Sequence, residues 1–260
     1  MQIFDKIKRI ITNSKVVGVN IIRKNVVDST NELAKTLAKN GAADGTVIIA
    51  EEQTGGKGRL DRKFFSPRDK GLWFSIILRP QCLPNDAPKF TLMAAAAIAC
   101  AMERFNLRAE IKWPNDIMYS GRKLVGILTE MSAEVDRVNF VVVGIGINVN
   151  IERAEFPENI RDVAASLSEM NGGNLNRAEF FNAVLEEFDR LYNQKSFSEV
   201  FKIWREYNIT LGKNIDVIEA DSGEIFTGKA IDIAADGALI VDIGGEQRTF
   251  YAGDVSIRTK

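Results

Sequence analysis

Five apolar segments of strand length, interrupted by helical patterns, most constrain the fold that this chain can adopt. The segments are TVIIA (46–50), GLWFSIIL (71–78), AEIKW (109–113), KLVGILTEM (123–131) and NFVVVGIGINV (139–149). Between the second and the third, residues 87–105 contain MAAAAIACAM, whose small side chains predict a long helix packed closely on a sheet. Helices are also predicted after Ser29, where Ser29-x-x-Glu32 matches a capping box, and over 161–171, 176–193 and 197–208. This mixture predicts an α+β fold.

The composition and pattern of the sequence change after Leu211-Gly212. Four short β-rich segments, NIDVIEA, EIFTGKAIDIA, ALIVDI and QRTFYA, are separated by Asp-Ser-Gly, Ala-Asp-Gly and Gly-Gly-Glu turns. A β module of about 50 residues is too small to be very stable alone, so we expect it to pack on the larger domain. The predicted domains are residues 1–211 and 212–260.

Composition excludes several classes of function. The 34 basic and 35 acidic residues give a net charge of −1, which disfavours general binding of nucleic acid. The chain has no histidine, so a Ser-His-Asp triad, a Cys-His pair and an HExxH zinc site are excluded. Cys82 and Cys100 cannot build a zinc site between them and suit a reducing compartment. No apolar segment approaches the ~20 residues that span a bilayer, and the N-terminus lacks a signal-peptide core. We therefore expect a cytoplasmic protein without membrane association.

The stretch EEQTGGKGRLDRKFFSP (51–67) combines three glycines with a local excess of positive charge. Glycines at 55, 56 and 58 allow the backbone to approach a ligand, and Lys57, Arg59 and Arg62 could hold a phosphate or carboxylate. The spacing matches neither a Walker A loop nor a dinucleotide-binding fingerprint. From composition alone, a solvated surface loop is about equally consistent with the pattern.

The segment IKWPNDIM (111–118) places Lys112 at the end of a strand, beside a tryptophan and just before a proline. A lysine in this position can be partly desolvated and aimed inward, where an anionic ligand would keep it charged. The alternative is a surface lysine whose aliphatic stem alone is covered. Asn115 and Asp116 can cap the turn, which in isolation is the better supported role for them.

Two further segments are ambiguous when each is taken alone. In VVVGIGINVN (141–150), Gly144 and Gly146 remove side chains from one strand face, and Asn148 points to the same face. This spacing suits a ligand, although on spacing alone a tight sheet contact is favoured. In DSTNELA (28–34), Ser29 or Thr30 can simply cap a helix, but with Asn31 they also form a compact polar set.

Taken together and in order, DSTNELA, EEQTGGKGRLDRKFFSP, IKWPNDI, KLVGILTE and GIGINVN resemble the biotin protein ligase family, from about residue 25 to the C-terminus. The resemblance implies a mixed-sheet catalytic domain, shared with lipoate ligases, followed by a small SH3-like β-barrel. It also implies a two-step reaction in which biotin and ATP, with Mg²⁺, form biotinoyl-5′-AMP. The acyl group then passes to a lysine of a biotin carboxyl carrier domain of a biotin-dependent carboxylase.

The resemblance also assigns residues. Lys112 and Arg59 are the implied catalytic residues. Biotin contacts are implied for Ser29, Thr30, Asn31, Gln53, Gly56, Lys57, Gly58, Arg59, Lys112 and Gly126. Contacts with ATP or the adenylate are implied for Lys57, Arg59, Arg62, Phe64, Lys112, Asn115, Asp116, Gly144, Gly146 and Asn148. No protein-dedicated metal site is implied, and Mg²⁺ is expected on the ATP phosphates, with Asp116 a candidate for indirect contact.

The chain departs from the family pattern in its loop, where Lys57, Leu60 and Phe64 replace the commoner Arg, Arg and Trp. Lysine keeps the charge but loses the bidentate fork of arginine, which bears on adenylate retention. Only about 27 residues precede DSTN, so we expect the monofunctional type, without an N-terminal DNA-binding domain. A homodimer is also implied.

Two other functions are alternatives to a biotin ligase. A lipoate-protein ligase is the alternative on the same fold, whereas an octanoyltransferase would need a catalytic cysteine in a cationic setting. A peptide-binding role for the β module is the alternative outside enzymes, with Phe250 and Tyr251 as its aromatic candidates.

Overall fold

The strand GLWFSIIL lies in the interior of the larger sheet, and all eight of its residues are buried. A computed structural model describes residues 14–60, 62–194, 196–252 and 255–259. The N-terminal segment 1–13, on which the predicted absence of a signal peptide and of a DNA-binding domain largely rests, lies outside the described residues. The strands are β1 (Ile21–Val27), β2 (Val47–Gln53), β3 (Gly71–Leu78), β4 (Glu110–Lys112), β5 (Asp116–Tyr119), β6 (Arg122–Ala133), β7 (Val138–Asn148), β8 (Asn214–Glu219), β9 (Ile225–Ile233), β10 (Leu239–Ile243), β11 (Glu246–Phe250) and β12 (Val255–Thr259). The helices are α1 (Thr30–Lys39), α2 (Lys89–Glu103), α3 (Leu167–Asn171), α4 (Arg177–Tyr192) and α5 (Ser198–Tyr207), with short 3₁₀ turns at Pro84–Asp86 and Arg153–Glu155.

The first seven strands form one mixed sheet in the order β1-β2-β3-β7-β6-β5-β4. Only β1 and β2 run parallel among the paired strands of this sheet in the described part of the chain, and the other neighbours are antiparallel. Helix α1 covers one face, where Ala34 and Ala38 pack on Ile48, Ile77 and Val142. Helix α2 covers the opposite face, and α4 and α5 pack against α2. The prediction of an α+β fold with a mixed sheet is confirmed.

The last five strands form an antiparallel sheet in the order β11-β10-β9-β8-β12. Its buried side chains, such as Ile215, Val217 and Leu239, belong to the same apolar cluster as the residues under α2. The small module therefore shares a core with the larger domain, which compensates for its limited size. The division into residues 1–211 and 212–260 stays a prediction.

Three strands were not predicted, and two local predictions were wrong. The sequence predicts a turn in place of β5 because Asn115 and Asp116 lie at its start, and β1 and β12 carry polar residues that mask their pattern. The helix predicted over 161–171 begins only at Leu167, because residues 163–165 bond to Lys123 of β6 in a strand-like manner. Ser29 occupies the N-cap of α1, but its side chain makes no capping hydrogen bond, so the capping box is absent.

A buried ion pair joins the larger sheet to α4. Glu51 on β2 is fully buried, and its Oε2 lies 3.1 Å from Nη1 of Arg177, which also donates to the Gly71 carbonyl oxygen at 3.0 Å. Burial raises the pKa of the Glu51 carboxyl, although Arg177 opposes that shift. Removal of one partner of such a pair leaves an uncompensated buried charge.

We predict that Arg177→Met lowers the free energy of unfolding at neutral pH by about 3–5 kcal/mol, measured by urea denaturation. The loss should shrink as the pH falls, because without Arg177 the pKa of the buried Glu51 carboxyl rises further and the folded variant takes up a proton at a higher pH than the unmodified protein does. The double variant Arg177→Met/Glu51→Gln should recover much of the lost stability. A double variant as unstable as the single one would show that the ion pair is not the cause.

Candidate active site

The predicted site residues line one cavity of about 350 Å³, within the size range of small-molecule sites. Of the residues named above, the following line it: Ser29, Thr30, Asn31, Gln53, Lys57, Gly58, Arg59, Arg62, Phe64, Lys112, Asn115, Asp116, Gly126, Gly144, Gly146 and Asn148. Gly56 does not line the cavity. It lies beneath the loop, where a Cβ would be 2.4 Å from the Phe64 carbonyl oxygen, so its role is to bring the two arms of the loop together.

One end of the cavity is polar and carries little charge, and it is built at the start of α1. Thr30 donates from its backbone N–H (2.8 Å) and its hydroxyl (3.0 Å) to Gln53 Oε1 on β2. The Asn31 amide is held on both sides, since Oδ1 accepts from Ser75 at 2.6 Å and Nδ2 donates to Glu130 at 2.8 Å. Thr30 and Asn31 are buried and Gln53 is half-buried, and their hydrogen bonds fix all three. They present donors and acceptors to a neutral polar group.

Three glycines keep one face of β6 and β7 clear beside that end. A Cβ at Gly144 would lie 2.1 Å from Asn31 Oδ1. A Cβ at Gly126 or Gly146 would lie 2.7 Å or 2.6 Å from the ring of Phe64. The Asn31 amide and the Phe64 ring therefore pack on the glycine face. These two side chains make the close approach that the sequence predicts at Gly144 and Gly146.

The glycine-rich loop forms a small hairpin over the cavity. The N–H of Gly58 donates to the Arg62 carbonyl oxygen at 2.6 Å, and Lys57 and Lys63 face each other as in antiparallel strands. Lys57 Nζ pairs with Glu32 of α1 at 2.5 Å. Lys35 and Lys57 together hold the pKa of the Glu32 carboxyl below its usual value. Lys57 thus fastens one side of the hairpin to α1.

Arg59 fastens the other side. Its guanidinium donates to Asn115 Oδ1 at 3.3 Å and to the backbone carbonyl oxygens of Ala252 and Val255 in the small module. Ile257 of β12 lines the cavity itself. The small module is therefore one wall of the site.

The cations of the cavity fall into two groups. Lys123 Nζ is 2.6 Å from Asp116 Oδ1 and 5.7 Å from the centroid of the Phe64 ring. By contrast, Lys63, Lys112 and Arg62 line the cavity but make no ion pair within the described residues. Lys112 is half-buried at the end of β4 and lies opposite Asp116 of β5, whose carboxylate pairs with Lys123 instead, so the Lys112 ammonium has no ion-pair partner there. A ligand with negative charge would supply that partner.

Asn148 lies beyond Gly146 on the same strand face. Its Nδ2 donates to the carbonyl oxygens of Ala165 at 3.0 Å and Lys123 at 3.4 Å, which fixes the amide orientation. Oδ1 is buried and accepts no hydrogen bond within the described residues. The residue lines the cavity, so this oxygen is a buried acceptor without a donor at the cavity wall.

Sequence reasoning missed part of the lining. Lys123 was detectable as a cation that opens an apolar strand segment, and Trp113 as part of the IKWPND motif. Phe156, Val163, Ala164 and Ile257 carry no signal of their own, because only the packing of distant segments brings them to the cavity.

Neither cysteine has the surroundings of a nucleophile. Burial raises the pKa of the Cys100 thiol to about 11, and it raises the pKa of Cys82 as well. Both thiols are therefore protonated near neutral pH, and both residues lie outside the cavity lining. Within the described residues, no group of three or more Asp, Glu or Cys side chains could hold a metal ion. No helix in the same residues is long and apolar enough to cross a membrane.

Comparison with known proteins identifies the protein family to which a chain with this fold and cavity belongs. The model of the Biotin/lipoate A/B protein ligase family matches residues 24–148, and that of the Biotin protein ligase C terminal domain matches residues 210–258. The chain is 37% identical to the bifunctional ligase/repressor BirA of Bacillus spizizenii over 248 residues, covering 94% of this chain and 76% of that protein. It is 31% identical to the biotin–[acetyl-CoA-carboxylase] ligase of Mycobacterium tuberculosis, covering 87% of this chain and 85% of that one.

Among solved structures, the biotin protein ligase from Aquifex aeolicus in complex with biotin and ATP superimposes with a TM-score of 0.78. The two chains are 29% identical, and the match covers 93% of this chain and all of the other. The chain belongs to the biotin protein ligase family.

We predict that Gly144→Ala displaces Asn31 and lowers the free energy of unfolding by about 1–3 kcal/mol, because a new Cβ breaks a buried hydrogen-bond network. Urea denaturation checks this. Gly173→Ala is the matched control, since a Cβ there meets nothing within 4 Å. Equal stabilities of the two variants would contradict the packing described for Asn31.

Proposed function

We propose that this chain activates biotin with ATP as biotinoyl-5′-AMP and transfers the acyl group to a lysine of a biotin carboxyl carrier domain. The observation that carries the proposal is the ammonium of Lys112, which makes no ion pair with the described residues, at a cavity whose polar end is built by Ser29, Thr30, Asn31 and Gln53. That polar end suits the neutral ureido ring of biotin, and Lys112 suits its carboxylate. The relatives named above are biotin ligases, which supports biotin over lipoate.

In the first step, a biotin carboxylate oxygen attacks the α-phosphorus of ATP, and the bond to the bridging oxygen of pyrophosphate breaks. Two anions must approach each other, so the protein's contribution is fixed positive charge rather than a nucleophile. In this proposal Lys112 would neutralise charge on both reacting groups, and Arg62 would meet the departing phosphates. Mg²⁺ would arrive on the ATP phosphates, where it supplies further charge neutralisation. Asp116 already pairs with Lys123, so direct coordination by it is not part of this proposal.

At the other end of the cavity, the Phe64 ring and the Asn148 amide suit a purine base. The ring offers a flat apolar surface, and Asn148 Oδ1 can accept from an exocyclic amino group. In the second step, the neutral amine of the acceptor lysine attacks the acyl carbonyl carbon, and AMP leaves with the electrons of the mixed-anhydride C–O bond. Histidine is not required in either step.

We also propose that the protein is cytoplasmic and forms a homodimer. Strand β1 lies at an edge of the larger sheet and presents backbone groups that a second copy could pair with. Sedimentation equilibrium over a range of concentrations tests the dimer, and a strictly monomeric protein would exclude it.

Exchange of radiolabelled pyrophosphate into ATP tests the function directly. We expect exchange that depends on biotin and is absent with lipoate. Exchange with lipoate alone would identify a lipoate-protein ligase. Exchange with neither acid would favour a binding protein without adenylation activity.

For Lys112→Ala we predict a fall in the exchange rate of about 10²–10³-fold, comparable to removal of one preorganised charge-stabilising donor. Stability should change by less than about 1 kcal/mol, because Lys112 has no ion-pair partner in the described residues. Lys24→Ala, which removes an exposed cation from β1, is the control and should leave both quantities unchanged. If Lys112→Ala melts early but retains normal activity per folded molecule, the role of Lys112 is structural.

For Arg59→Gly we predict release of the adenylate into solution about tenfold faster or more, because several charge-assisted hydrogen bonds that fasten the hairpin are lost. Rapid filtration after synthesis with labelled biotin measures this release. Arg62→Gly serves as the comparison, since the Arg62 side chain makes no hydrogen bond or ion pair with the described residues and its loss should slow adenylate formation. If Arg59→Gly released the adenylate at an unchanged rate, the loop would have no role in retaining the intermediate.

A further inference from the structure

The strand that carries Lys112 is a three-residue edge strand, and such a strand has little to fix it. On one side, β4 pairs with β5, with Lys112 opposite Asp116. Its other side would be open to solvent, because β4 ends the order of the seven-stranded sheet. A catalytic amine on a short free edge would be poorly positioned.

The segment that joins α5 to the small module closes this open edge. The N–H of Ile209 donates to the Ile111 carbonyl oxygen at 2.9 Å, and Asn208 Nδ2 donates to the same oxygen at 3.2 Å. The N–H of Trp113 donates to Thr210 Oγ1 at 3.0 Å. Residues 208–210 therefore act as a short additional strand beside β4.

These contacts hold the two peptide groups that flank Lys112. The Ile111 carbonyl belongs to the peptide group before the Lys112 Cα, and the Trp113 N–H belongs to the one after it. Fixing both peptide planes fixes the backbone dihedral angles of Lys112 and thus the direction of its side chain. The joining segment is itself rigid, since Asn208 Oδ1 accepts from the N–H groups of Thr210 and Leu211 at 2.8 and 2.7 Å.

The small module also holds Trp113, through the side chain of that residue. The Trp113 indole Nε1 donates to the carbonyl oxygen of Gly237, in the turn between β9 and β10, at 3.2 Å. Thr210 is fully buried and Trp113 almost so, which means that water cannot replace either bond. The Lys112 backbone is thus fixed by the start of the small module as well as by the sheet.

We propose that Thr210 is a positioning residue for Lys112, and that the segment 208–210 sets the ammonium group for attack of the carboxylate on ATP. The inference rests on the proposed function, because it assigns Lys112 its role in adenylation. Thr210 itself does not line the cavity. Its effect on the reaction passes through the Trp113 N–H and the backbone of Lys112.

The test is biotin-dependent pyrophosphate exchange by Thr210→Val, which keeps the shape of the side chain and removes the acceptor for the Trp113 N–H. We expect kcat to fall about tenfold or more, because small displacements of a catalytic group are costly. The KM for biotin should stay within about twofold, since the polar end of the cavity is untouched. Thr210→Ser restores the hydroxyl and should restore kcat.

Thr46→Val is the matched control. Thr46 is equally buried, and its hydroxyl also accepts one hydrogen bond, from Asn20 Nδ2 at 3.3 Å, at the opposite end of β2 from the cavity residue Gln53. If loss of stability alone slowed the reaction, both valine variants would be slow. Rates are taken per folded molecule, below the onset of unfolding for each variant. Should Thr210→Val fail to fold, Asn208→Asp removes the donor to Ile111 from a half-buried position and should give the same fall in kcat.

The outcomes separate the two proposals. Normal kcat for Thr210→Val, or equal losses for Thr210→Val and Thr46→Val, would overturn the positioning role alone. A rise in KM with unchanged kcat would also overturn it. Absence of exchange by the unmodified protein with biotin would overturn the proposed function, and this inference with it.

Discussion

The cleared face of β6 and β7 is the constraint on which the rest of the site depends. At Gly126, Gly144 and Gly146, any side chain would collide with Asn31 or with the Phe64 ring. Because alternate residues of a strand share a face, the same glycines divide that face into a polar part near α1 and an aromatic part near Asn148. The opposite face of β7 carries Val143, Ile145 and Ile147 and is buried under α2. The sheet therefore stabilises the fold with one face and shapes the cavity with the other.

The positive charge around the cavity is divided between holding the structure and meeting a ligand. Lys57 pairs with Glu32, Arg59 with oxygens of Asn115 and the small module, and Lys123 with Asp116. Each of these contacts fixes a neighbouring segment: the hairpin, the module and the Phe64 ring. In the described residues, Lys63, Lys112 and Arg62 make no ion pair. A sequence count of cations cannot make this distinction, since it depends on which carboxylates the fold brings near.

The elements that the sequence predicted well are those whose local pattern agrees with their packing. Strand β3 was predicted with its observed bounds because a segment buried on both faces reads as an unbroken apolar run. Strand β5 was missed because Asn115 and Asp116 resemble a turn, and it forms only through pairing with β4 and β6 on either side. The Ser29–Glu32 capping box was wrong for a related reason. Glu32 has two lysines as competing partners, and a local motif does not reveal them. The family motifs located most of the cavity lining but could not indicate that the small module contributes Ile257.

The shared core of the two domains explains why an adenylating site can sit against so small a module. A sheet of five short strands has too little apolar area to be stable alone, so it stays docked on the larger domain through common core residues. In the docked module, residues 208–210 pair with the otherwise exposed edge of β4. The Gly237 carbonyl oxygen accepts from the Trp113 indole, which follows that strand. The guanidinium of Arg59 reaches the same module from the hairpin above the cavity. The burial that stabilises the module thus also fixes the strand and the loop that carry the cationic groups of the site.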